Sequence, residues 1–151
     1  MRRLLALVFL VLFVACGKLS ELPTSPDTTG TDTTGTTTTS PPPDPSATFT
    51  RVTNEVLTPN CTAAGCHGKI ATQENQTLTK DVAYSQLVNV PSVEVPSLLR
   101  VKPGDPQNSY MYRKITGVGI TGFQMPQGGP FLDATQIALV RDWILRGAPN
   151  D

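Results

Sequence analysis

The sequence predicts a small all-α domain whose helices are joined by long loops rich in proline and glycine. Three observations predict it. The stretch LDATQIALVRDWILRGAP near the C-terminus carries the start, stripe and stop signals of an amphipathic helix. Two further stretches place apolar residues at helical rather than alternating spacing. The segments between them, PSVEVPSLLRVKPG and TGVGITGFQMPQGGP, are broken up by prolines and glycines and read as loops.

Within this domain, expected over residues 47–151, Phe49, Val52, Val56 and Leu57 fall on one helical face, and Pro59 is expected to end that helix. KDVAYSQLV predicts a second helix capped by Thr79. A third is expected to start at Asp105, with Pro106 at its first helical position, and to run through QNSYMYRKI. In the last helix Asp133 can N-cap while Gln136 completes a capping box, and Leu132 and Ile137 occupy staple positions. Ile137, Val140 and Ile144 form its apolar stripe with Trp143 beside it, and Gly147 and Pro149 stop it. A short extended pair is expected among the loops. About a hundred residues can fold alone but bury a limited core, so a covalently held prosthetic group would add to its stability.

The residues before the domain have a different character. MRRLLALVFLVLFVAC sets two arginines before an unbroken apolar run, Leu4 to Ala15, that is short for a membrane span and is flanked as a secretory signal is. FVAC resembles the lipobox of bacterial lipoproteins, which implies removal of residues 1–15 and acylation of Cys16. Acyl chains on one cysteine would hold the protein firmly to a membrane. Gly17 follows Cys16 where some retained lipoproteins have aspartate, which points toward an outer-membrane or periplasmic-face location. Residues 16–46 continue as a lipidated N-terminus and a Thr/Pro-rich tether, too poor in apolar side chains to offset the entropy of ordering. A flexible chain of about 28 residues reaches about 30 Å.

Twelve basic and twelve acidic residues balance, so no basic face is available to neutralise a run of phosphates, and nucleic-acid binding is set aside. No acid/base pair, serine triad or phosphate loop is present, and no independent catalytic activity is read. Three cysteines leave an odd one in an exported chain, but lipidation of Cys16 leaves Cys61 and Cys66 as a pair.

That pair lies in CTAAGCHGK, followed at once by His67, the only histidine in the chain. Two cysteines and an adjacent histidine are the pattern of covalent haem attachment, C-x-x-C-H, here with a four-residue spacer. On an ideal helix residues i and i+3 lie about 60° apart, whereas residues five apart differ by about 140°. A regular helix therefore cannot carry the site, and TAAG is expected to bulge into a loop at its glycine. A disulfide would need the same departure from helix. Haem, a Cys61–Cys66 disulfide and zinc held by Cys61, Cys66 and His67 remain open at this point, although zinc lacks a fourth ligand of the usual kind.

If haem is attached, a single histidine excludes bis-histidine ligation within one chain and leaves methionine, lysine, water or an open position opposite it. Outside the leader the methionines are Met111 and Met125. Met125 lies in a loop, FQMPQGGP, and is the favoured ligand; Met111 falls on an expected helix beside Tyr110 and Tyr112, where methionine more often fills a core. Trp143, Tyr110 and Tyr112 are read as packing residues. Arg100, Lys102, Arg113 and Lys114 are read as solvated charges beside loops.

The order of these features resembles class I cytochrome c: an apolar helix, cysteines followed by histidine, intervening helices, a Met-Pro loop and a terminal amphipathic helix. The downstream half is similar to small cytochrome c-like domains of exported bacterial proteins, in which V-x-P-G-x-P-x-x-S precedes the methionine loop and L-x-x-W-I-x-x-G-A closes the domain. Here these read VKPGDPQNS and LVRDWILRGA, and the resemblance spans nearly all of residues 49–148. It implies a cytochrome c-like fold around one covalent haem c, with thioethers at Cys61 and Cys66, His67 as proximal ligand and Met125 as distal ligand. The function expected is electron transfer with redox partner proteins by a membrane-tethered carrier outside the cytoplasm. The alternative is a haem-free extracytoplasmic binding or structural module of the same fold, closed by a Cys61–Cys66 disulfide.

Overall fold

The computed structural model describes residues 41–69 and 73–151. The chain divides into two units, Met1–Thr38 and Thr39–Asp151, and the described residues belong to the second. The expected signal peptide, the lipidated Cys16 and most of the tether lie outside the described residues. The described part is helix-rich and, among the described residues, contains no β-strand; its extended pairings are isolated bridges, Val88 with Val101, Pro91 with Leu99, and Leu99 with Ser109. No helix among the described residues is long and apolar enough to cross a membrane.

The first helix, α1, occupies residues 49–61. Thr48 caps it by accepting from the Arg51 amide at 3.2 Å, and the Asp151 carboxylate accepts from the Phe49 amide at 2.8 Å. α1 does not end at Pro59, as the sequence suggests, but runs on to Cys61, and its middle, Val52–Leu57, widens to a π-helix in which the Thr58 amide reaches back to Thr53 O. A proline inside a helix crowds the carbonyl four residues earlier and offers it no donor. That carbonyl, Glu55 O, is satisfied instead by Gln136 Nε2 at 3.0 Å, so a side chain from the far end of the sequence lets the helix pass its own proline.

Helix α2 is Ala83–Leu87, shorter than expected: the chain before it makes a turn in which the Val82 amide donates to Thr79 O, and Val88 after it is already extended. The stretch expected as one helix from Asp105 is interrupted. Pro106–Asn108 makes a 3₁₀ turn with Asp105 as its cap, Ser109 is extended, and α3 then runs Tyr110–Thr116. The break has a tertiary cause. Ser109 Oγ donates to Asp105 O at 2.8 Å and accepts from the Lys102 amide at 2.9 Å, while the first amides of α3, at Tyr110 and Met111, donate to Leu99 O and Arg100 O.

The terminal helix α4, Ala134–Leu145, forms with the expected capping box between Asp133 and Gln136. It packs against α1 and α3. Trp143 is fully buried against Phe49, ring centroids 5.3 Å apart, and donates Nε1–H to Pro149 O at 2.9 Å. Val52, Val56 and Leu57 of α1, Leu87 of α2, Ile115 of α3 and Val140 and Ile144 of α4 complete the core. Sealing these faces against one another leaves the C-terminal end of α1, one face of α3 and the loop before α4 to enclose a separate space.

Candidate functional site

At the end of α1 the chain leaves the helix through residues 62–65. The Cys66 amide donates to Ala63 O and the His67 amide to Cys61 O, both at 3.0 Å, and Gly65 takes the left-handed conformation, φ +82°, that this loop requires. The four-residue spacer is thus a closed loop that folds the second cysteine and the histidine back beside the first. Gly68 sits against it so tightly that a Cβ there would lie 2.8 Å from Thr62 O.

His67 is fixed from three directions. Its amide is held by Cys61 O, its carbonyl accepts from the Leu78 amide at 2.8 Å, and its ring Nδ1 lies 3.1 Å from Gln76 O. A carbonyl oxygen only accepts, so Nδ1 must carry the ring proton. Nε2 then holds the lone pair that a metal takes, the arrangement that orients histidine ligands from behind.

Met125 arrives from the loop between α3 and α4. Its amide donates to Lys114 O at 2.8 Å, and the neighbouring Gln124 Nε2 donates to Ile115 O at 2.9 Å, pinning the loop to the end of α3. Cys61, Cys66, His67 and Met125 all line one cavity of about 410 Å³, within the size range of cofactor sites. Met111 lines it too, but belongs to the hydrophobic core. On α3, Tyr110 and Lys114 form one i, i+4 row facing the cavity, and Met111 and Ile115 the next.

Both cysteines are free thiols, so the structure contains no Cys61–Cys66 bridge. Burial, with Cys66 close by, pushes the Cys61 thiol up to about 12. A shift in that direction makes the thiolate less available for exchange. Among the described residues no three His, Cys, Asp or Glu side chains gather into a metal-holding group, which removes the support for zinc.

The sequence reading of the charged residues is corrected in two places. Lys102 and Arg113 do lie toward solvent or bond locally, Lys102 to Asp105 and Arg113 to Gln107 O. Arg100 and Lys114 are buried and line the cavity. Lys114 Nζ bonds both Glu94 oxygens, at 3.2 and 2.9 Å, and Thr121 O at 3.0 Å; the Tyr110 hydroxyl donates to Glu94 Oε2 at 2.6 Å. Burial of Glu94 favours its neutral form, but the bonds from Tyr110 and Lys114 outweigh it and hold the carboxyl below its ordinary value. The i, i+4 spacing of Tyr110 and Lys114, and the place of Arg100 between Leu99 and Val101, are the sequence signals that could have marked these residues.

No protein-family model, curated protein or solved structure matches the chain.

Proposed function

We propose that this protein is a membrane-tethered monohaem c-type cytochrome that carries electrons outside the cytoplasm. The observation that carries the reading is convergence on one cavity. Two cysteines, a histidine whose Nδ1 proton is committed to a backbone carbonyl, and a methionine remote in sequence all line it. Haem, when bound, supplies one-electron chemistry at iron, and His/Met ligation favours electron transfer over oxygen chemistry.

The chain's own residues have distinct tasks. Cys61 and Cys66 would hold the group covalently through thioethers, His67 Nε2 and the Met125 sulfur would serve as its iron ligands, and the Gln76 carbonyl fixes the ring of His67. Leu78, Met111 and Ile115 give the cavity apolar walls that exclude water. Met125 is preferred to Met111 because it comes from a pinned loop rather than from the core. Phe123 and Val93, which also line the cavity, are 66% and 49% exposed and offer a redox partner an apolar approach.

The deciding experiment is a reduced-minus-oxidised visible spectrum with intact mass on the full chain, exported in a host that attaches c-type haem. A sharp reduced α-band that survives acid-acetone extraction, with the mass of one haem added, is the expected result. A colourless protein two protons lighter than the reduced chain, from a host that matures a C-x-x-C-H variant of the same chain, would overturn it in favour of the disulfide module.

A further inference from the structure

Arg100 is 6% exposed, and its guanidinium has no carboxylate within ion-pair distance among the described residues. Its donors go to backbone: Nη1 to Gln86 O at 2.9 Å, with Gln86 Oε1 at 3.5 Å, and Nη2 to Glu74 O at 3.0 Å. Burying a cation to satisfy two carbonyls is costly, and burial accordingly lowers the Arg100 pKa, with the nearby Glu74 opposing. Among the described residues no other hydrogen bond joins the two segments these carbonyls belong to. Gln86 is on α2, whereas Glu74 sits in a turn where Glu74 and Asn75 both hold left-handed backbone, φ +54° and +50°. A glutamate resists that conformation and keeps it only where surroundings impose it, whereas asparagine adopts it more readily. The next residue of the same turn, Gln76, supplies the carbonyl that holds His67 Nδ1.

The backbone of Arg100 is itself fixed. Its amide donates to Val90 O at 2.7 Å and its carbonyl accepts from the Met111 amide at 2.9 Å, at the start of α3. A rigid platform thus reaches through one side chain to a strained turn, and that turn aims a carbonyl at the histidine.

We infer that Arg100 is a positioning residue for His67: by clamping Glu74 O it holds the 74–76 turn in the conformation that presents Gln76 O to Nδ1. The coupling between Arg100 and the ring stands on these contacts alone; its consequence for a metal rests on the function proposed above. A firm Nδ1–H bond makes the ring a stronger donor through Nε2 and so favours the oxidised metal. Loosening the turn raises the reduction potential. Removing the guanidinium charge alone would lower it, because a nearby cation disfavours oxidation. Arg100→Lys separates the two effects, since it keeps the charge and loses the fork that spans both carbonyls.

The test is solvent exchange of the His67 Nδ1 proton, followed by ¹⁵N-resolved NMR on the full chain as it is expressed, in the reduced state if it is coloured. Wild type and Glu74→Gln, which changes the side chain but leaves the carbonyl, are expected to protect the proton equally. Arg100→Lys is expected to exchange it at least tenfold faster. In a coloured protein the same variant should shift the redox equilibrium upward about tenfold, about 59 mV for a one-electron couple. Unchanged exchange in folded Arg100→Lys would overturn the inference, whatever the colour of the protein; a chain left colourless by a host that matures its C-x-x-C-H variant, with faster exchange in Arg100→Lys, would overturn the function and leave the inference standing. If Arg100→Lys does not fold, wild-type exchange decides. The Arg100 Nη protons and the His67 Nδ1 proton must open at a common rate, and separate rates overturn the coupling.

Discussion

Glu94 and Lys114 meet at the cavity wall with side chains 21% and 11% exposed, so each partner depends on the other for compensation. Because the folded-state value of Glu94 lies below its ordinary 4.5, its ionised form adds stability that is fully present above that pH and is lost as pH falls through the folded value. Glu94→Gln should therefore flatten the acid side of the stability profile below about pH 5, a loss of about 1 kcal/mol at neutral pH after allowing for partial exposure. Urea midpoints of variant and wild type across that range measure the difference; parallel profiles would show that the pair contributes nothing. Other carboxylates share the acid response, Asp105 most strongly at about 2 through its bonds from Asn108 and Lys102, so only the difference isolates Glu94. At the methionines the expectation is asymmetric. Met125→Ala should abolish the weak sulfur-to-iron absorption band of the matured protein, whereas Met111→Leu should keep it and cost under about 1.5 kcal/mol, as volume-conserving core exchanges do. Loss of the band in Met111→Leu instead would transfer the ligand role to α3.

Among the elements, Gln136 joins α4 to α1 with the two ends of one amide. Its Oε1 accepts from the Asp133 amide at 3.2 Å as half of the capping box, and its Nε2 donates to the Glu55 carbonyl beside Pro59. Gln136→Glu keeps the acceptor, and keeps a negative charge where a helix start favours one, but it cannot donate. It should cost about 1 kcal/mol in thermal or urea unfolding, the net worth of one hydrogen bond, and Gln136→Ala more, because it also removes the acceptor for the Asp133 amide while the Asp133 cap itself remains. Equal stability of Gln136→Glu and wild type would mean that the Glu55 carbonyl finds another partner. This element also shows what a linear reading can reach. The capping box, the stripe and the glycine stop of α4 are local signals, and they predicted its start and end correctly. The passage of α1 through Pro59 was not legible, because it depends on a side chain 81 residues away. The break at Ser109 escaped for the same reason, since a buried hydroxyl bonded to residues 102 and 105 overrides helix propensity. At the site, the loop in TAAG could be read from helical geometry. For Arg100 and Lys114 the sequence holds only the local hints named above, an i, i+4 spacing and two apolar neighbours, because the walls that bury them come from segments that meet only in the folded chain.

For the whole molecule, the cavity and the N-terminal segment make separable claims about one chain. The cavity is built by α1, α3 and the loops between residues 62 and 127; among the described residues its lining runs from Asn60 to Gln127. Under the proposed function the apolar run, Leu4 to Ala15, directs export, and Cys16 becomes the acylated N-terminus. Under the same proposal acylation at that position holds the protein to a membrane. Cys16→Ser removes the acceptor and leaves Cys61, Cys66, His67 and Met125 in place. The expected outcome is transfer of the chain from the membrane fraction to the soluble exported fraction, with loss of the acyl mass at the N-terminus and an unchanged visible spectrum. Fractionation and intact mass read the first part, and spectroscopy the second. Retention of Cys16→Ser in the membrane fraction would place the anchor elsewhere, whereas release with a lost α-band would tie maturation of the site to membrane attachment.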